Sequence, residues 1–123
     1  MNIFYLDKNP KVAAEMHCNK HVIKMVLEYA QILSTAHRII DGDEAGDKRG
    51  LYEIAYKNHP STAWARLGRG NYNYLSDLWA WLGIEYTHRY GKVHKAATLK
   101  WLHYSPDNIP RKTLLTGLTS PPP

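Results

Sequence analysis

Between Lys20 and Ile40 the apolar residues leave little choice of architecture. Val22, Val26, Tyr29, Leu33, Ala36 and Ile40 fall on one side of a helix, and Met25, Ile32, Ile23 and Ala30 widen that side to more than half its circumference. A helix buried over so much of its surface has to be packed by others, so the chain must build a helical core around it. What stays polar is one narrow stripe, His21, Lys24, Glu28, Gln31 and Thr35, at spacings of three and four. It reads either as a solvated face with a Lys24 to Glu28 ion pair or as the wall of a cleft.

A second long helix is expected from about Asn71 to Tyr90, capped by Asn71 and closed by Gly91. Leu75, Leu78, Trp79, Leu82 and Tyr86 make its core face, and Asn73, Ser76, Asp77 and Thr87 face outward. An edge carrying Asn71, Tyr74, Trp81, Glu85 and Arg89 lies between them, with Glu85 and Arg89 spaced to pair. Shorter helices are expected from Pro10 to His17, with Asn9 as cap, from Pro60 to about Leu67, and from Val93 to Tyr104 with Trp101 on the core. Asn19 offers the cap of the Lys20 helix. Residues 1–9 read as a short extended segment, apolar over Met1 to Leu6, residues 41–57 as an acidic loop, and residues 105–123 as an irregular, proline-rich tail. The acids of Asp41 to Gly50 lack the spacing and closing glutamate of a calcium loop. The expected fold is an all-α bundle in one domain, a reading that fits 123 residues.

Charge narrows the partners. A formal net charge of +5, with Arg66, Arg69, Arg89, Lys92, Lys95, Lys100, Arg111 and Lys112 crowding the second half, favours anions. No apolar run reaches the length of a membrane span, and a single cysteine, Cys18, agrees with a reducing compartment, so a cytoplasmic protein without membrane contact is expected. His17 and His21 have the spacing of helical zinc ligands, yet no carboxylate or cysteine completes a set, and neither metal nor other cofactor is expected. No Walker loop, dinucleotide fingerprint or serine elbow is present.

Two basic clusters can hold a phosphate. In the first, Gly68-Arg69-Gly70 leads into a helix N-terminus, with Arg66 adjacent and Trp64 one turn back. The second is Arg89-Tyr90-Gly91-Lys92 with His94 and Lys95, which equally suits the C-terminal dipole of the long helix. Tyr74, Trp81 and Tyr90 are the aromatics available to stack on a base. If the two long helices set their polar edges across a cleft, His21, Lys24, Glu28 and Gln31 would face Tyr74, Glu85 and Arg89. His59, Trp64 and Arg69 would close one end, and Lys92 and His94 the other.

The segments HCNKHVIKMVLEYAQILSTAHR, NHPSTAWAR, NYNYL and EYTHRYGKVHK resemble a small family of phage-encoded proteins. The resemblance covers Met1 to Arg38 and Asn58 to Lys95 and implies an accessory protein working in a bacterial cytoplasm. In size, basic charge and helical content the chain is also loosely similar to small phage pyrimidine-dimer DNA glycosylases. Those enzymes use an N-terminal amine and a glutamate. Here Asn2 keeps Met1 in place, Glu15 and Glu28 sit in no matching motif, and no catalytic residue is carried over.

The expected function is recognition of nucleic acid or a phosphorylated nucleotide, with chemistry on DNA as an extension. For that chemistry Glu28 or Glu85 is the acid or base, His21 or His59 its partner, and Lys24 the nucleophile. Gln31, Asn71 and the two basic clusters supply binding. The alternatives are a non-catalytic binder that sequesters a nucleotide signal and a protein inhibitor of a host enzyme.

Overall fold

The computed structural model describes residues 7–111. Five α-helices run in the order α1 (Pro10–Glu15), α2 (Asn19–Asp41), α3 (Asp43–Lys48), α4 (Pro60–Ala65) and α5 (Arg69–Tyr90), followed by two 3-10 turns, Lys95–Thr98 and Lys100–His103. No strand occurs among the described residues, and no helix there is long and apolar enough to cross a membrane. The expectations for Met1 to Leu6 and for the tail beyond Arg111 lie outside the described residues.

The two long helices pack on each other and the rest is arranged around them. They run antiparallel: Tyr90 at the end of α5 reaches the Asn19 carbonyl at the start of α2, while Tyr72 at the start of α5 meets His37 near the end of α2. The core is made of the residues their periodicities select. From α2 come Val22, Met25, Val26, Tyr29, Ala30, Ile32, Leu33 and Ala36, and from α5 Leu75, Leu78, Trp79, Leu82 and Tyr86. Gly91 ends α5 in the left-handed conformation, at φ 71°, and its amide donates to the Thr87 carbonyl.

Several expectations are corrected. The first helix stops at Glu15, and Cys18 rather than Asn19 is the cap residue of α2, with no side-chain bond. His17 therefore sits in a turn, and the His17 to His21 spacing is not a helical one. Asn71 does not cap α5. Gly68 does, in an extended conformation, and Asn71 lies inside the first turn, where its Nδ2 donates to the Trp64 carbonyl at 2.8 Å. The acidic loop contains α3, whose Asp43 and Glu44 favour the positive end of the helix.

Ser76 is buried rather than outward, because its hydroxyl donates to the Leu102 carbonyl at 2.6 Å. Trp101 is 47% exposed rather than in the core. The extended backbone at Leu99 splits the expected helix into two 3-10 turns, whose three-residue period aims Ala96 and Leu102 inward instead.

Candidate functional site

Three arginines, Arg38, Arg49 and Arg89, are already answered by the protein. Arg38, 6% exposed at the end of α2, donates from Nε to the Tyr52 carbonyl at 2.6 Å and from Nη2 to the Leu51 carbonyl at 2.8 Å. Its Nη1 reaches Asp47 at 2.9 Å and Asp43 at 3.4 Å. The acidic segment thus solvates a buried guanidinium. Gly46 is required for the approach: a Cβ there would lie 2.5 Å from Arg38 Cγ.

Arg49 bonds Asp41 at 2.7 Å and Asp107 at 3.2 Å, and also donates to His37 Nδ1 at 2.9 Å. His37 in turn meets the Tyr72 hydroxyl, which donates to the Leu102 carbonyl. This chain of donors assigns His37 a proton on Nε2 and leaves Nδ1 as acceptor. Burial, followed by the Arg49 charge, lowers the His37 pKa to about 4, so the ring is neutral at pH 7 as the network requires.

Arg89, Tyr90 and His94 of the second basic cluster are held in the same way. Arg89 pairs with Glu85 at 2.8 Å and donates to the His17 carbonyl, the Asn19 side chain and the Glu15 carbonyl at 2.8, 3.0 and 3.1 Å. It ties the α1–α2 turn to α5. Tyr74 is buried and donates to the Asp7 carbonyl at 2.7 Å. Tyr90 packs on Tyr86 at 5.0 Å, and His94 caps the Ala96 amide while packing against Tyr86 at 4.9 Å. Lys92 and Lys95 are exposed.

The α5 edge that sequence spacing set opposite the α2 stripe is therefore packed against α1. Alongside it, Lys11, Glu15, Trp81, Ile84, Glu85 and His88 line an open hollow of about 330 Å³, with the Lys11 ammonium 5.2 Å from the Trp81 ring centre. On the α2 stripe, His21, Glu28 and Gln31 are half-buried and Lys24 is exposed; no ion pair joins Lys24 to Glu28. Thr35 is taken by the Ala55 amide and carbonyl.

The α4–α5 junction is different. His59 caps α4 by accepting the Ser61 amide at 3.1 Å, and Pro60 at the first helical position sets its direction. Arg66 ends α4 and turns back, so that its Nη2 donates to the Lys57 carbonyl at 2.9 Å. Its Nη1 is buried without a partner among the described residues, and so are Arg69 Nε, Ser61 Oγ and Asn71 Oδ1. Ser61 and Asn71 are fully buried. Burial alone pulls the Arg66 pKa below the usual arginine range, and no carboxylate opposes it.

Each buried polar group left unmatched costs about 1–3 kcal/mol, and here the two guanidinium groups are half-buried, so part of each charge stays solvated. Here the set offers N–H and O–H donors and one amide acceptor between Ser61 and Asn71. Trp64, 4% exposed, packs edge-on to Tyr74 at 6.4 Å and forms part of the wall behind them.

Sequence reasoning singled out Trp64, Arg66, Arg69, Asn71 and His59, and the structure brings these to one corner. It missed Ser61, which has no signal in the sequence beyond its place in the NHPSTAWAR segment. It also missed Tyr56, which sits just before α4 with φ 52° and is 62% exposed. No group of three or more metal-ligating side chains occurs among the described residues. The fold and this corner define an all-α protein with two buried guanidinium nitrogens left unmatched among the described residues. No protein-family model, curated protein or solved structure matches the chain.

Proposed function

We propose that the chain binds a phosphate-bearing ligand, nucleic acid or a nucleotide, at the α4–α5 junction. The observation that carries this reading is the pair of guanidinium groups, Arg66 and Arg69, each with a buried nitrogen that the protein leaves without an acceptor. A phosphate supplies the acceptor oxygens and the negative charge together, in the geometry that arginine matches best. Arg69 lies in the first turn of the 22-residue α5, where the helix dipole adds to the same field. The formal charge of +5 favours the encounter. The resemblance to phage-encoded proteins suggests an infected bacterial cell as the setting, where sequestration of a nucleotide signal and contact with DNA would both use the same chemistry. His21, Lys24 and Glu28 remain the groups to test for chemistry on a bound strand.

The test is a titration of the full chain with a short single strand and a duplex of the same length, followed by tryptophan fluorescence at low and moderate salt. Two engaged phosphates give a slope of log affinity against log salt of about −1.4 for a single strand. Arg66→Ala is expected to remove most of the response. Absence of any response to either nucleic acid or to free nucleotides contradicts the reading.

A further inference from the structure

The carbonyl that Arg66 binds belongs to Lys57, and the residue before it is an exposed tyrosine, Tyr56. Tyr56 is 62% exposed, and its side chain has no hydrogen bond or ring partner among the described residues. It is also the one non-glycine residue there with positive φ, at 52°. A side chain with a large ring rarely takes this conformation, because its Cβ crowds the following carbonyl.

Two bonds hold it there. The Tyr56 carbonyl accepts the His59 amide at 3.0 Å, closing the turn into α4, and the next carbonyl, that of Lys57, accepts Arg66 Nη2 at 2.9 Å. The guanidinium with the spare buried nitrogen is thus the clamp on the turn that presents the ring. Backbone strain at an exposed residue gains nothing for the core, and strained positions cluster at ligand contacts as well as in turns.

The aromatics that the sequence singles out, and Trp101, are committed elsewhere. Trp64 and Tyr74 are buried against each other, Trp81 lies under Lys11, Tyr90 packs on Tyr86, and Trp101 lies beneath Arg49 at 5.2 Å. A nucleotide separates its base from its phosphate by one sugar. Here the guanidinium binds the carbonyl of the residue that follows the tyrosine.

Resting on the phosphate reading above, we propose that Tyr56 is the platform on which the ligand's base stacks. The ligand is then an unpaired nucleotide, whether within a single strand or free, and not the backbone of an intact duplex, whose bases are stacked on one another.

The experiment measures affinities of the full chain, by calorimetry at low salt, for four probes: a short oligothymidine, the same strand with abasic sites, a duplex of equal length, and thymidine monophosphate. Wild type is expected to bind the base-bearing strand about ten-fold tighter than the abasic one, the scale of one base–aromatic stack. Tyr56→Ala should bring the two strands together by weakening only the base-bearing one, and Tyr56→Phe should restore the difference. Circular dichroism of each variant checks that the fold is retained.

Monophosphate binding as tight as the strand supports the proposal with a free nucleotide as the source, and binding of the strand alone supports it with single-stranded nucleic acid as the source. Equal wild-type affinity for base-bearing and abasic strands, or tighter binding of duplex, overturns the stacking role; if Arg66→Ala still abolishes that binding, the phosphate reading stands without it. No binding of any probe overturns both.

Discussion

Arg38 and Arg66 are both arginines near a helix end, and both turn back on a neighbouring loop. Arg38 has all three guanidinium nitrogens bonded, two of them to carbonyls of the crossing segment and one to the carboxylates of α3. Arg66 has one bond to a carbonyl and a buried nitrogen with none, and no carboxylate approaches it. The protein spends a whole acidic helix on one guanidinium and leaves the other bare. Arg89, with four acceptors, belongs with Arg38, and Arg69 belongs with Arg66. Folding therefore does not leave cations unsatisfied everywhere in this chain. Among the described residues the exception is local to the α4–α5 junction, and this locality is the ground for proposing a binding site there.

The contrast breaks most visibly in stability. Arg38→Ala leaves the Leu51 and Tyr52 carbonyls and the α3 carboxylates without their donor, and is expected to cost about 3–5 kcal/mol in urea unfolding. A loss under about 1 kcal/mol would remove Arg38 from the satisfied class.

The next effect is in pH. His37 is held neutral beside Arg49 with its pKa lowered to about 4 from the ordinary 6.5. The unfolded chain binds that proton first, so the stability is fully present above pH 6.5 and is lost as pH falls toward 4. The loss is about 3 kcal/mol at most, at 1.36 kcal/mol per pKa unit. His17, lowered chiefly by burial, adds in the same direction. Urea midpoints between pH 7 and pH 4.5 should trace this fall, and His37→Gln should flatten it.

The smallest effect sharpens the comparison. Arg66→Met removes a desolvated charge and a single bond, and should shift stability by less than about 1 kcal/mol in either direction. A loss as large as that of Arg38→Ala would mean that the Arg66 guanidinium serves the fold.

How far these two regions could be read from the residues follows from the range of their contacts. The long helices were legible because burial repeats at 3.6 residues: Val22 to Ile40 and Leu75 to Tyr86 mark their core faces with little help from elsewhere. Gly91 announced the end of α5. The basic pair at 66 and 69 was visible as charge.

Its unsatisfied atoms were not visible, because satisfaction depends on what arrives from distant segments. Arg89 shows the converse. Its i, i+4 spacing to Glu85 was readable, but its bonds to Glu15, His17 and Asn19 span most of the chain and carry no periodic signal. Trp101 and Ser76 went the wrong way for a related reason, since each orientation depends on the break at Leu99 and the Leu102 carbonyl beyond it. Tyr56 could not be foreseen at all: nothing in AYKNH marks the tyrosine, rather than Asn58, for positive φ.

In the proposed reading, an anionic nucleotide ligand satisfies the unmatched guanidinium nitrogens of the α4–α5 junction. The measurement that tests it most directly is the urea stability of the full chain with and without a short single strand, for wild type and for the Arg66→Met, Arg69→Met double variant. A ligand held only by the folded state at 100 times its dissociation constant adds about 2.7 kcal/mol. Wild type should gain on this scale and the double variant should gain almost nothing while remaining as stable as wild type without ligand. An equal gain in both proteins, or none in wild type, would contradict the assignment of the site.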